Sequence, residues 1–309
     1  FNYSGLPDAS IWNMETGGGG WGNNELQYYT DREDNASVGG GYLTITAQEE
    51  AYGGRNYTSA RMTTQNKFDF KYGKIEARIK LPYGQGIWPA FWMLGSNFNS
   101  VGWPSCGEID IMEHGLGDTN HVSSALHTGS SSGDTINTLG IDITDVNANY
   151  HVYSMNWSPN QITFMVDNVG FYTYNPSDKN DNTWPFYEEQ FILLNVAMGG
   201  IAGAVDPGFT QSPMIVDYVR VYQEAPLSAS NTLNLDTSLK LYPNPATDKI
   251  HISSTMTLSR LALYDVYGKL ILTKENDTKI LDVSRLNSGV YFLEVSSNTE
   301  KVVKKVMVN

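Results

Sequence analysis

Gly107-Glu108-Ile109-Asp110-Ile111-Met112-Glu113-His114-Gly115 is the stretch on which the reading of this chain turns. Three carboxylates stand in an otherwise apolar run, and buried strands avoid acids unless those acids serve a purpose there. In an extended strand Glu108 and Asp110 share one face and Ile109 the other, because side chains alternate. Glu113 lies five positions beyond Glu108 and would point the wrong way. One extra residue at Met112, accommodated as a β-bulge, restores the parity and leaves Ile109 and one of Ile111 and Met112 to enter the core.

Acids lined up on one face repel each other, so at least one must keep its proton near neutral pH, beside a neighbour that is ionised. A general acid next to a carboxylate is the pair that cleavage of a glycosidic bond requires. Retaining enzymes bring the two carboxyls to about 5–5.5 Å, whereas inverting ones leave roughly 6.5–9.5 Å for a water; acids on one bulged strand suit the shorter gap. A calcium site or a solvated face is the competing reading, but the flanking residues are apolar and the Asp-x-Asp-x-Asp-Gly spacing of a calcium loop is absent.

Working outward, runs of period two recur from Tyr42 to Tyr222, as in Tyr42-Leu43-Thr44-Ile45-Thr46-Ala47 and in Gly73 to Leu81. Others span Ile87 to Leu94, Glu108 to Glu113, Val122 to His127, Tyr150 to Trp157, Gln161 to Val166, Phe191 to Ala197 and Met214 to Tyr222. Turn residues separate them, and the pattern is that of half-buried strands. No segment of ten residues shows a capped helical period, although Asn180 to Gln190 has room for a helical turn. The first part of the chain is therefore an all-β sandwich.

With 309 residues the chain exceeds a single domain of ordinary size. After Gln223 the periodicity stops, and residues 224–238, small and polar, read as a linker. From about Leu239 a second β unit follows, with strands expected at Lys249 to Ser253, Ser259 to Val266, Lys269 to Thr273, Lys279 to Val283, Val290 to Val295 and Lys301 to Val308.

A net charge of −13 and a pI near 4.7 oppose binding to nucleic acid or anionic lipid. The single cysteine, Cys106, rules out an intrachain disulfide. No apolar run is long enough to span a bilayer, and the chain opens at Phe1 without Met or a signal-like segment, as a processed end would.

The run Glu108-Ile109-Asp110-Ile111-Met112-Glu113 resembles the signature of glycoside hydrolase family 16, in the bulged form of its laminarinases, agarases and carrageenases. Gly20 to Thr30, Tyr57 to Arg61, Gly86 to Leu94 and Ala125 to Gly129 are similar to laminarinases, the endo-1,3-β-glucanases, and the likeness covers residues 1–223. The resemblance implies a concanavalin-like β-jelly-roll that cuts laminarin, or mixed-linkage β-glucan, with no cofactor needed for catalysis. It makes Glu108 the nucleophile, Asp110 the residue that tunes it, and Glu113 the acid that protonates the leaving oxygen and then activates water.

Trp88, Trp92 and Trp103 would offer rings to sugar faces, Asn23 and Arg61 would bond sugar hydroxyls, and His127 would tune the acid's proton. Asp217 and the backbone of Gly41 match a structural calcium site of the family. The acidic residue that usually precedes the Phe1-Asn2 pair is absent from this sequence, as is the tryptophan that many laminarinases carry after the glycines corresponding to Gly199-Gly200.

Leu241-Tyr242-Pro243-Asn244-Pro245, Leu263 to Gly268 and Leu286 to Tyr291 resemble the C-terminal sorting domain of the type IX secretion system, covering residues 239–309. That implies a secreted or surface protein of a Bacteroidetes-type bacterium with the secretion machinery as a partner; beside the polysaccharide substrate no other partner is expected, and the chain is expected to be a monomer. A carbohydrate-binding module is the competing reading of this unit, but the region has no tryptophan. For the first unit the competing readings are a hydrolase of agarose, porphyran or carrageenan and a non-catalytic glucan-binding lectin.

Overall fold

The acid-bearing segment is a strand, Glu108–His114, bounded by two glycines that no other residue could replace without strain. Gly107 sits at φ 79° and Gly115 at φ 91°, and a Cβ on Gly115 would stand 2.0 Å from the carbonyl oxygen of Ile87. These turns fix where the strand begins and ends, and hence which of its residues face which way.

The computed structural model describes residues 1–117, 119–223, 239–254, 257–275, 278–297 and 301–309. The expected linker, 224–238, lies outside the described residues. Two compact units are present, Phe1–Glu224 and Ala225–Asn309.

In the first unit two sheets face each other. One holds eight strands, in the order Asn13–Glu15, Arg61–Thr63, Gln190–Met198, Ile87–Gly95, Glu108–His114, His121–His127 and Thr138–Asp142, with Asp69–Phe70 also on Gln190–Met198. The other holds nine and centres on Gly73–Lys80, Gln211–Tyr222 and Tyr42–Tyr52. Pairing is antiparallel except between Gln27–Tyr29 and Arg55–Ser59. Between the sheets lies one core, with Phe91, Ile109 and Leu194 from the first and Ile45, Ile79 and Val216 from the second. This is the expected jelly-roll sandwich.

The bulge is where the acid spacing required it. Asp110 pairs with Trp92 but Met112 with Phe91, and on the other side Asp110 pairs with Ala125 but Glu113 with Ser123, so one residue is extra in both ladders. One detail differs from expectation: Ile111 and Met112 both enter the core, at 2 % and 0 % exposure. A bulge lets two consecutive side chains point to the same side, so no apolar residue is spent on the solvent face.

The expected helical turn near residue 185 is a 3-10 turn, Pro185–Tyr187. A helical turn at Phe98–Val101 was not foreseen. Nor were strands of two or three residues such as Asp69–Phe70 and Arg61–Thr63, which are too short to display a period.

The second unit has a three-stranded sheet, Lys240–Tyr242, Lys249–Ser253 and Ile280–Asp282. Its other sheet has four strands, Leu270–Lys274, Leu258–Tyr264, Gly289–Ser297 and Lys301–Val308. They close over Ile250, Leu261, Leu281, Leu293 and Val306.

Candidate active site

Residues directly opposite each other in a ladder share a face. Glu108 lies between Leu94 and His127, Asp110 between Trp92 and Ala125, and Glu113 between Ala90 and Ser123. The next strand sets Asn195 against Ala90, and the one after sets Arg61 against Asn195. All of these residues line one cleft of about 830 Å³, together with Trp21, Asn23, Trp88 and Trp103. The register therefore assembles the three acids and every residue named as substrate-binding at one site. Asp217 and Gly41, the suggested metal ligands, are not in it.

Each glutamate is held by an indole. Trp103 Nε1 donates to Glu108 Oε2 at 2.9 Å, and Trp88 Nε1 donates to Glu113 Oε1 at 3.0 Å. His127 Nε2 stands 3.1 Å from Asp110 Oδ2 and 3.7 Å from Glu108 Oε1. The approach to Asp110 is off the line of a hydrogen bond, which leaves Asp110 Oδ2 buried and unpartnered. His127 Nδ1 accepts the backbone N–H of Gly133 at 3.1 Å, so the neutral ring carries its proton on Nε2, facing the acids.

Burial dominates the electrostatics. It raises the pKa of Glu108, Asp110 and Glu113, each to about 8. The charge of Asp110 adds to the rise at both glutamates, whereas His127 and the indole N–H donors pull those two down. Asp110 has burial alone acting on it. The acid with no donor is the one best suited to keep its proton, which lets a flanking glutamate ionise.

The three tryptophans expected to face sugars are engaged differently. Trp88 lines the cleft but is only 9 % exposed, and it donates its N–H to Glu113. Trp92 donates to Asn195 Oδ1 at 2.7 Å and has the Arg61 guanidinium 4.7 Å from its ring centroid. Trp103, at 46 % exposure, is the tryptophan most open to a sugar. His127 stands next to Asp110 and Glu108, and its charge also lowers the pKa of Glu113.

Arg61 lies between Trp92 and Trp21 and pairs with Glu15, so it stiffens this end of the cleft while lining it. Asn23 lines the cleft beside Glu25. Glu25 itself was missed: it is 3 % exposed, takes hydrogen bonds from Gln27 and Tyr29, and has its pKa raised by burial. Asn195 was missed too, although a lone amide inside the apolar run Phe191 to Ala197 was a visible signal. It links Trp92 to the Tyr29 hydroxyl.

Asp217 gives its carboxylate to Arg78 at 2.7 Å. One carboxylate already neutralised by arginine and one carbonyl at Gly41 fall short of the six to eight oxygens calcium takes, so these two residues do not by themselves fit the ion.

Comparison with known proteins agrees with this geometry. Residues 23–220 match the glycosyl hydrolases family 16, and residues 240–309 match the secretion system C-terminal sorting domain. A β-glucanase of Rhodothermus marinus is 42 % identical over 242 residues, spanning 72 % of this chain and 82 % of that protein. A glucan endo-1,3-β-glucosidase of Cryptopygus antarcticus is 37 % identical, spanning 71 % and 88 %. The crystal structure of a laminarinase from Flavobacterium sp. UMI-01 superposes with a TM-score of 0.67 at 44 % identity, over 72 % of this chain and 99 % of that one. The sorting domain marks the chain for secretion or cell-surface display in a Bacteroidetes-type bacterium. With its acids on the cleft face of a jelly roll, the chain belongs to the glycosyl hydrolases of family 16.

Proposed function

We propose that this enzyme hydrolyses internal β-1,3 linkages of glucans such as laminarin, with mixed-linkage β-glucan as a second substrate, and that it retains the anomeric configuration. The observation that carries this reading is the bulge, which turns Glu113 to the same cleft as Glu108. In the first step the Glu108 carboxylate attacks the anomeric carbon while Glu113 gives its proton to the departing glycosidic oxygen. A glycosyl ester on Glu108 results. Glu113, now a carboxylate, takes a proton from water, whose oxygen attacks the same carbon and frees Glu108. Asp110 holds the proton that would otherwise be a second negative charge beside the nucleophile.

Two features support a neutral glucan over a sulfated galactan. The relatives named above act on β-glucans by their names, and Arg61, the cationic side chain in the described cleft lining, is already paired with Glu15. The test is to incubate the chain with laminarin, lichenan and agarose and to follow the first products by proton NMR. Laminarin shortened to oligosaccharides whose new ends appear first as the β-anomer is expected. An α-anomer appearing first would refute retention, and intact laminarin beside shortened agarose would refute the substrate. Glu108→Gln should lower turnover by several orders of magnitude with binding kept.

A further inference from the structure

We propose that Trp88 is a positioning residue for the acid/base: its indole N–H holds one oxygen of Glu113 and thereby assigns the catalytic proton to the other. The inference rests on Glu113 being the acid/base, as proposed above. Trp88 is two residues from Ala90, the direct partner of Glu113, so its ring reaches the glutamate along the diagonal of the ladder. It is buried, and its N–H ends 3.0 Å from Glu113 Oε1.

An indole N–H can only donate. Glu113 Oε1 must therefore accept, and when Glu113 is protonated the proton resides on Oε2. A hydroxyl side chain in this place could have reversed its role and let the proton wander between the two oxygens. A lysine or arginine would have held Glu113 as a carboxylate through the pH range in which it has to be an acid. Tryptophan gives direction without charge, which an acid that must become a base in the next step requires. The other charged or titratable groups facing Glu113 among the described residues are Asp110 and Glu108 on its own strand and His127 on the adjacent one. None of them is hydrogen-bonded to it.

Removing the donor removes a stabiliser of the carboxylate form. In Trp88→Phe the alkaline limb of kcat/KM, which reports the acid in the free enzyme, should move up by about one pH unit, the size expected of one hydrogen bond to a charged group. With laminarin kcat should fall about tenfold and KM stay nearly constant. With a 2,4-dinitrophenyl β-oligoglucoside, whose leaving group needs no proton, the first step should be unaffected. An unmoved alkaline limb, or a KM that rises while kcat holds as loss of a sugar platform would give, overturns the proposal.

A second measurement uses the unaltered chain labelled with 15N-tryptophan. One indole N–H resonance should titrate with pH, keep doing so in Glu108→Gln and stop in Glu113→Gln. No such resonance means no such bond. If Glu113→Gln turns over laminarin normally, the acid/base reading itself falls; if it is inactive and Trp88→Phe leaves the pH profile in place, only the role of Trp88 does.

Discussion

Replacing Glu113 by Gln should abolish laminarin turnover and at the same time make the catalytic unit more stable. The reason is the burial that raises this carboxyl from 4.5 to about 8. Between those two values the folded chain keeps a proton that the unfolded chain has released. Each unit of pH rise inside that window therefore costs the folded state about 1.4 kcal/mol, and stability falls as pH rises. At pH 7 the accumulated cost is on the order of 3 kcal/mol. Glutamine is nearly the same shape, can accept the Trp88 N–H through its carbonyl, and carries no such cost. The expected gain in melting temperature at pH 7 is roughly 6–12 °C for a unit of this size.

The assay is available without dissecting the chain. All seven tryptophans fall between Trp12 and Trp184, so their fluorescence follows the catalytic unit and ignores the sorting domain. Melts of both proteins from pH 8 down to pH 4.5 should show the advantage of Glu113→Gln shrinking steadily and vanishing at the acidic end, where both folded and unfolded chains hold the proton. A variant that melts at or below the unaltered chain at pH 7 would refute the reasoning. So would an advantage that persists undiminished to pH 4.5, because that would come from packing and not from a displaced proton.

Met112→Ala should cost about 2–5 kcal/mol of stability, as for other fully buried large-to-small changes, while kcat at low temperature stays near normal because alanine still counts as the extra residue; tryptophan-monitored urea melts and kcat decide it, and a lost kcat without lost stability would show that the side chain sets the parity. Gly115→Ala should destabilise by several kcal/mol, since a Cβ at φ 91° meets the Ile87 carbonyl at 2.0 Å; an unchanged urea midpoint would contradict that geometry. Arg61→Ala should raise KM for laminarin about tenfold with kcat held within a few-fold, as Trp21 and Trp92 lose the cation between them. A fall in kcat at constant KM would place Arg61 in the chemistry instead.

The sandwich and the acids were legible because both follow from period two. Alternation in Gly73 to Leu81 or Lys301 to Val308 states which face is buried, and the five-residue gap from Glu108 to Glu113 states that one residue is surplus. Strands of two or three residues carry no period and were invisible. The role of Trp88 was half legible: alternation put it on the cleft face, but whether its N–H is free depends on a neighbouring strand 25 positions away. Glu25 depends on the fold altogether, for it is buried and hydrogen-bonded by Gln27 and Tyr29 although it follows a glycine-rich segment that by itself reads as a loop.

The bulge also explains why acids can stand here without wrecking the core. A regular strand with Glu108 and Asp110 on the cleft face would put Met112 on the cleft and Glu113 in the core, both on the wrong side. With the ladder slipped by one residue on both flanks, Ile109, Ile111 and Met112 all reach the core, and Glu108, Asp110 and Glu113 all reach the cleft. The apolar burial is thus kept whole, and the destabilising term is confined to three carboxyls on the cleft face, where a raised pKa suits the proposed acid Glu113. Core and chemistry are separated by face, which is why a side-chain change at Met112 should act on folding alone, whereas one at Glu113 should abolish turnover and relieve the cost of a buried carboxyl.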